Sequence, residues 1–173
     1  MLCEYDCETV KIEKMKTIRI FSLIPVLGLM FLTSCEDTPW GCIDGNNRIV
    51  TEQRDVGSFS GVISYSSFVI NVEIGEEYSL SIETDDNLLD YIDTYIQGDN
   101  LIIETRRDRC IRSNEPILVN VVTKDLSKLK LAGSGVMNAN NFNSSELDIE
   151  LSGSGKIECR SINISHLYAS LPG

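Results

Sequence analysis

The side chains best equipped for chemistry are carboxylates, guanidiniums and phenols gathered at the corners of the chain. Asp85, Asp86, Asp90, Asp93 and Asp99 crowd one stretch. That density suggests calcium. The D-x-D-x-D-G ligand loop is absent, however, and corner aspartates are ordinary turn formers. Arg106-Arg107-Asp108-Arg109, with Arg112, forms a basic spot on an acidic protein. Such a spot could hold a sulfated or uronic glycan; a solvated loop paired with itself is the competing explanation. Tyr65, Tyr78, Tyr91, Tyr95 and Tyr168 could stack on sugars, although tyrosine is also common on half-buried strands. Serine, histidine and aspartate all occur without a nucleophile elbow. The binding candidates are Arg106, Arg107 and Tyr168. No catalytic residue, metal ligand or cofactor is assigned.

The elements that must position these groups follow from a repeat. Leu131-Ala132-Gly133-Ser134-Gly135 returns as Leu151-Ser152-Gly153-Ser154-Gly155, and Leu171-Pro172-Gly173 starts a third copy, each 20 residues after the last. Between the corners Met137 aligns with Ile157, Ala139 with Cys159, Phe142 with Ile162 and Leu147 with Leu167. Leu147, Ile149 and Leu151 alternate with Asp148 and Glu150, the period of a strand with one buried face. A glycine-cornered period of this size predicts a solenoid: an all-β, right-handed parallel β-helix with ~20-residue coils, less regular toward the N-terminal side. An antiparallel meander with recurring hairpins is the alternative. On the repeat, Asp148, Glu150 and Glu158 face outward with only Lys156 and Arg160 near them, which is thin support for a lyase. His166 aligns with Glu146 on the outward face and reads as a solvated surface residue.

The N-terminus reads as a targeting segment. Lys14, Lys16 and Arg19 precede an apolar run from Ile20 to Leu32. The run is short for a bilayer span, and its basic flank and small residues fit an export signal. Leu32-Thr33-Ser34-Cys35 resembles the lipobox of bacterial lipoproteins, which implies a lipid on Cys35. Residues 1–34 are then an N-terminal extension and signal peptide, with Met15 as the start, and 35–42 a tether. Glu36-Asp37 resembles the acidic tether of surface-exported lipoproteins in Bacteroidetes; a solvated linker explains it equally well. The net charge of −11 gives no electrostatic reason to bind nucleic acid. It also repels anionic lipid, so membrane attachment must come from the acyl chains.

Export implies an oxidising compartment. With Cys35 lipidated, Cys42, Cys110 and Cys159 remain in the mature chain. Cys159 aligns with inward Ala139 and reads as a small buried residue, leaving Cys42 and Cys110 as the natural disulfide. A zinc site fails on ligands, with a single histidine and no paired cysteine spacing.

Further strands are expected where Phe68, Ile70, Val72 and Ile74 alternate, at Tyr78, Leu80 and Ile82, at Leu101 and Ile103, and from Ile117 to Val122. Arg54-Asp55-Val56-Gly57-Ser58-Phe59-Ser60-Gly61-Val62 is followed by Asp86-Asn87-Leu88-Leu89 with Tyr91-Ile92-Asp93-Thr94, then Gly98-Asp99-Asn100-Leu101-Ile102-Ile103, then the GSG repeats. This order resembles the family described as "putative auto-transporter adhesin, head GIN domain" (DUF2807), common in Bacteroidetes. The resemblance implies a right-handed β-helix over 43–173, truncated at the C-terminus, and an adhesive role without identified catalytic residues. The expectation is an outer membrane lipoprotein, facing the periplasm or the cell surface, that binds host or envelope glycans or proteins. A carbohydrate-active enzyme on the same scaffold is one alternative. A structural protein that self-associates through an open strand edge is the other.

Overall fold

In the computed structural model the described residues are 41–107 and 109–172. The expected signal segment 1–34, the expected lipidation site Cys35 and most of the expected 35–42 tether lie outside them. The strands follow one another as β1 (Ile43–Asp44), β2 (Ile49–Arg54), β3 (Gly61–Ser64), β4 (Val69–Ile74) and β5 (Ser79–Asp85). A 3-10 turn, Asp86–Tyr91, leads into β6 (Ile92–Gln97), β7 (Asn100–Thr105), β8 (Ile111–Arg112) and β9 (Leu118–Thr123). The last five are β10 (Lys128–Ala132), β11 (Val136–Asn140), β12 (Asn143–Ser152), β13 (Lys156–Arg160) and β14 (Asn163–Ser170). Several form where buried and half-buried residues alternate: β10 buries Leu129 and Leu131 between half-buried Lys128, Lys130 and Ala132, and β11 buries Met137 and Ala139 between half-buried Val136, Asn138 and Asn140.

These strands make two six-stranded sheets and one two-stranded pair, β1 with β8. The first sheet runs β14-β12-β10-β3-β7-β6 and the second β13-β11-β4-β9-β5-β2. The expected right-handed parallel β-helix of ~20-residue coils is therefore overturned. Both sheets are mixed: β6 pairs antiparallel with β7, and β5 pairs antiparallel with both β2 and β9. Strands distant in sequence also interleave, β3 lying between β7 and β10 and β4 between β9 and β11. One physical cause of the reversal is the tight turn at Gly98, whose φ of 60° only glycine adopts readily. The 20-residue spacing is realised only locally. Lys128–Ala132 pairs parallel with Asp148–Ser152, and Val136–Asn140 with Lys156–Arg160, each partner 20 residues on. Gly155 permits that approach, since a Cβ there would come within 2.7 Å of the Gly135 carbonyl oxygen.

One buried cluster draws on both sheets. Val62, Leu101, Ile103, Leu129, Leu131 and Leu147 enter it from the first sheet, and Ile70, Val72, Leu80, Ile82, Val119, Val121 and Met137 from the second. Burial thins toward the last strands. Leu147 is fully buried, whereas Leu167, its partner in register, is 54% exposed.

Candidate functional site

Alternation sends every second residue of the first sheet away from the core, and this outer face carries the side chains that could act. Its central row runs Tyr95, Ile102, Ile63, Lys130 and Glu150 across five strands. Ile102 is only 2% exposed although it points outward. Long neighbours on the same face must cover it, and the register supplies Tyr95 and Lys130 in its own row. Tyr65 continues β3, its N–H donating to the Ile103 carbonyl at 3.0 Å. Tyr65 and Tyr95 are 49% and 42% exposed, so their rings present surface to solvent.

The polar groups around the rings are held in place. The Tyr95 hydroxyl donates to Glu104 Oε1 at 3.1 Å. Partial burial, and then that carboxylate, hold the Tyr95 phenol above its ordinary value, while Arg107 acts in the opposite direction. Lys130 Nζ donates to Glu150 Oε1 at 2.6 Å, and Lys128 Nζ to Asp148 Oδ2 at 2.7 Å. The Glu150 hydrogen bond raises Lys130 above the usual lysine value against a smaller desolvation. The arrangement offers phenol rings for stacking on flat apolar faces and fixed carboxylates and ammoniums for hydroxyl groups. Among the described residues no cluster of three or more histidine, cysteine, aspartate or glutamate side chains could hold a metal.

The structure brings some candidate residues together and separates others. Arg107 lies close enough to Tyr95 to act on its phenol. Arg106 is tied back, its Nη2 donating to Asp93 Oδ1 at 3.2 Å. Tyr168 is in register with Asp148 on the same outer face, but β14 and β6 are opposite edges of the sheet. Five strand spacings, roughly 24 Å, separate them. Tyr78 packs against Phe59, with ring centroids 5.4 Å apart, and Lys124 Nζ lies over it at 5.5 Å. Cys42 and Cys110 are joined by a disulfide, S–S 2.04 Å, beside the β1–β8 pair. Cys159 is a free, half-buried thiol that burial pushes up. Asp85 is buried and accepts hydrogen bonds from Asn47 N–H and the Ser113 hydroxyl, both at 2.5 Å. Asp86 pairs with Arg48 at 3.3 Å. Lys128 and Lys130 are the residues that sequence reasoning missed. Adding the 20-residue period to each lands on Asp148 and Glu150, so the signal was present.

The family model described as "Putative auto-transporter adhesin, head GIN domain" matches residues 58–173. Among solved structures, the chain is similar to a "putative adhesin" from Bacteroides fragilis, with TM-score 0.71 and 19% identity over 76% of this chain and 62% of that one. It is also similar to a "putative lipid binding protein" from Parabacteroides distasonis, with TM-score 0.65 and 20% identity over 76% of this chain and 65% of that one. A "putative adhesin" from Parabacteroides merdae gives TM-score 0.54 and 20% identity over 70% of this chain and 55% of that one. At these identities the likeness is one of fold, and the chain spans less than two thirds of each of these relatives. No curated protein matches the chain.

Proposed function

Because the chain belongs to the DUF2807 family, whose description names adhesins, we propose that it binds glycan at the bacterial envelope without turning it over. The observation that carries this is the outer face of the first sheet, where Tyr65 and Tyr95 stay half exposed above a buried isoleucine. A flat aromatic surface edged by Glu104, Lys130 and Glu150 suits a sugar ring, whose apolar face stacks while its hydroxyls find charged partners. Such a surface is broad and shallow, unlike the concave pocket expected for a small substrate. Single contacts are then weak, and many copies on one cell supply avidity.

Residues 1–34 act as a removed leader, Cys35 carries the lipid, 35–42 tether the domain, and 43–173 bind. The lipobox-like Leu32-Thr33-Ser34-Cys35 supports this anchor, and the location proposed with it is the outer membrane, facing the periplasm or the surface. Two experiments test the proposal. Cys35→Ala should release the protein from the membrane fraction; retention after a carbonate wash overturns the anchor. The purified protein should be retained on immobilised acidic and neutral polysaccharides with no new reducing or unsaturated ends. Tyr65→Ala with Tyr95→Ala should cut that retention at least tenfold. Product release that scales with protein concentration would replace binding by a hydrolase or lyase.

A further inference from the structure

The outer face of the second sheet carries a row of side-chain amides that runs in one direction. Asn120, Asn71 and Asn138 are in register on β9, β4 and β11. Asn71 Nδ2 donates to Asn120 Oδ1 at 2.9 Å, and Asn138 Nδ2 donates to Asn71 Oδ1 at 3.0 Å. The acceptor at the leading end is Asn138 Oδ1. The residue next in register is Glu158, a carboxylate that cannot donate to it. Lys156 pairs with Glu158, and Arg160 Nη2 holds it at 2.7 Å. These cations keep the carboxyl below its usual range and therefore ionised, Lys156 contributing most.

Two residues along β11, Asn140 Oδ1 is buried with no hydrogen-bond partner. An orphaned buried acceptor is costly, of order 1–3 kcal/mol, and this one, closed to solvent, meets an outside donor only when the Asn140 side chain turns toward the surface. Asn71, Asn138, Asn140, Glu158 and Arg160 line a shallow depression of about 350 Å³. Its walls therefore present Asn138 Oδ1, which takes no hydrogen bond from the described residues, beside a guanidinium with N–H groups beyond the one that Glu158 takes.

We propose that this depression is a second binding site and that it takes the acetamido group of an N-acetylated amino sugar in a glycan. A secondary amide supplies a partner for each: its N–H donates to Asn138 Oδ1, and its carbonyl accepts from Arg160. A pendant acetamido group reaches a depression that holds a single amide. A peptide would offer its amides to the open edge of β13 instead, since backbone pairs with backbone there. The site lies on the opposite sheet from Tyr65 and Tyr95, so it stands or falls separately from the aromatic face.

The test uses the full chain with ¹⁵N-labelled asparagine and three probes: a tetramer of N-acetylglucosamine, its de-N-acetylated counterpart, and a glucose tetramer of the same linkage. The acetylated tetramer should bind at least tenfold more tightly than either of the others and shift the Asn138 and Asn140 side-chain amide signals. Asn138→Ala and Arg160→Ala should each weaken it at least tenfold, with unchanged thermal midpoints showing that the fold persists. Asn138→Gln, which keeps an amide, should weaken it less than Asn138→Ala. Equal binding of the three probes, shifts confined to residues near Tyr65 and Tyr95, or displacement by an N-acetylated peptide as effective as the sugar would each overturn the proposal. So would a row satisfied within the protein, seen as Asn138 and Asn140 signals that no probe moves.

Discussion

At the scale of single residues, the carboxylates that look like ligands are occupied. Asp85 holds the Asn47 backbone and the Ser113 hydroxyl together, joining the segment before β2 to the loop before β9. Asp85→Ala should destabilise the fold by about 1–3 kcal/mol, because the hydrogen bonds that a buried carboxylate takes from two partly exposed donors are lost; chemical denaturation with an unchanged slope would show this. Calcium should give that protein no compensating stability. Lys130 makes a pH prediction. Its folded pKa is raised above the ordinary 10.5 by Glu150. The stability it contributes is therefore fully present below the unfolded value and is lost as pH rises through the folded one. Tyr95 is raised in the same direction by its own surroundings. Denaturation midpoints should fall at alkaline pH, above about 10.5, and Lys130→Met should lessen that slope while leaving the tyrosine part. An identical slope in the variant would mean that the Glu150 pair adds nothing.

At the scale of elements, burial rather than sequence similarity sets what a repeat position is worth. Leu147 and Leu167 are neighbours in parallel register, yet one is sealed and the other half exposed. Leu147→Ala should cost about 2–5 kcal/mol. Leu167→Ala should cost less than about 1 kcal/mol, as surface substitutions do. Equal losses would mean that β14 packs as tightly as β12. The strands themselves were legible: alternation at Phe68–Ile74, Tyr78–Ile82 and Ile117–Val122 falls on β4, β5 and β9. Their partners were not. A period of two says which face a residue takes and nothing about which strand lies beside it. Parallel pairing of residues 128–170 could be inferred because equal spacing supplies a register. No such spacing marks the antiparallel contacts of β5 with β2 and β9, so extending the repeat's order over the whole domain produced the wrong fold. The candidate face suffered from the same gap. Tyr65 and Tyr95 were named beside Tyr78 and Tyr91, and only the sheet order separates the exposed pair from a ring packed on Phe59.

At the scale of the whole molecule, two sheets enclose one core and leave two outer faces of different character, one aromatic and charged, the other a row of amides. The disulfide between Cys42 and Cys110 spans 68 positions. In the chain-entropy treatment a loop of that length stabilises by about 4 kcal/mol, and often less in practice. Reduction without denaturant should lower the unfolding free energy by up to that amount, and Cys42→Ser with Cys110→Ser should reproduce the loss. No change would mean that the β1–β8 pair and its neighbours hold the segment unaided. The bond has a mechanical consequence as well. Tension applied ahead of Cys42 and resisted beyond Cys110 passes through the two sulfurs and bypasses every residue between them. β2 to β7, with the Tyr65 and Tyr95 rings among them, then lie inside a loop that carries no load. Roughly 230 Å of contour, at about 3.4 Å per residue, stays unavailable to extension until the bond is reduced. A tether that is pulled hard would yield first on the C-terminal side of that clasp, while the aromatic face keeps its shape.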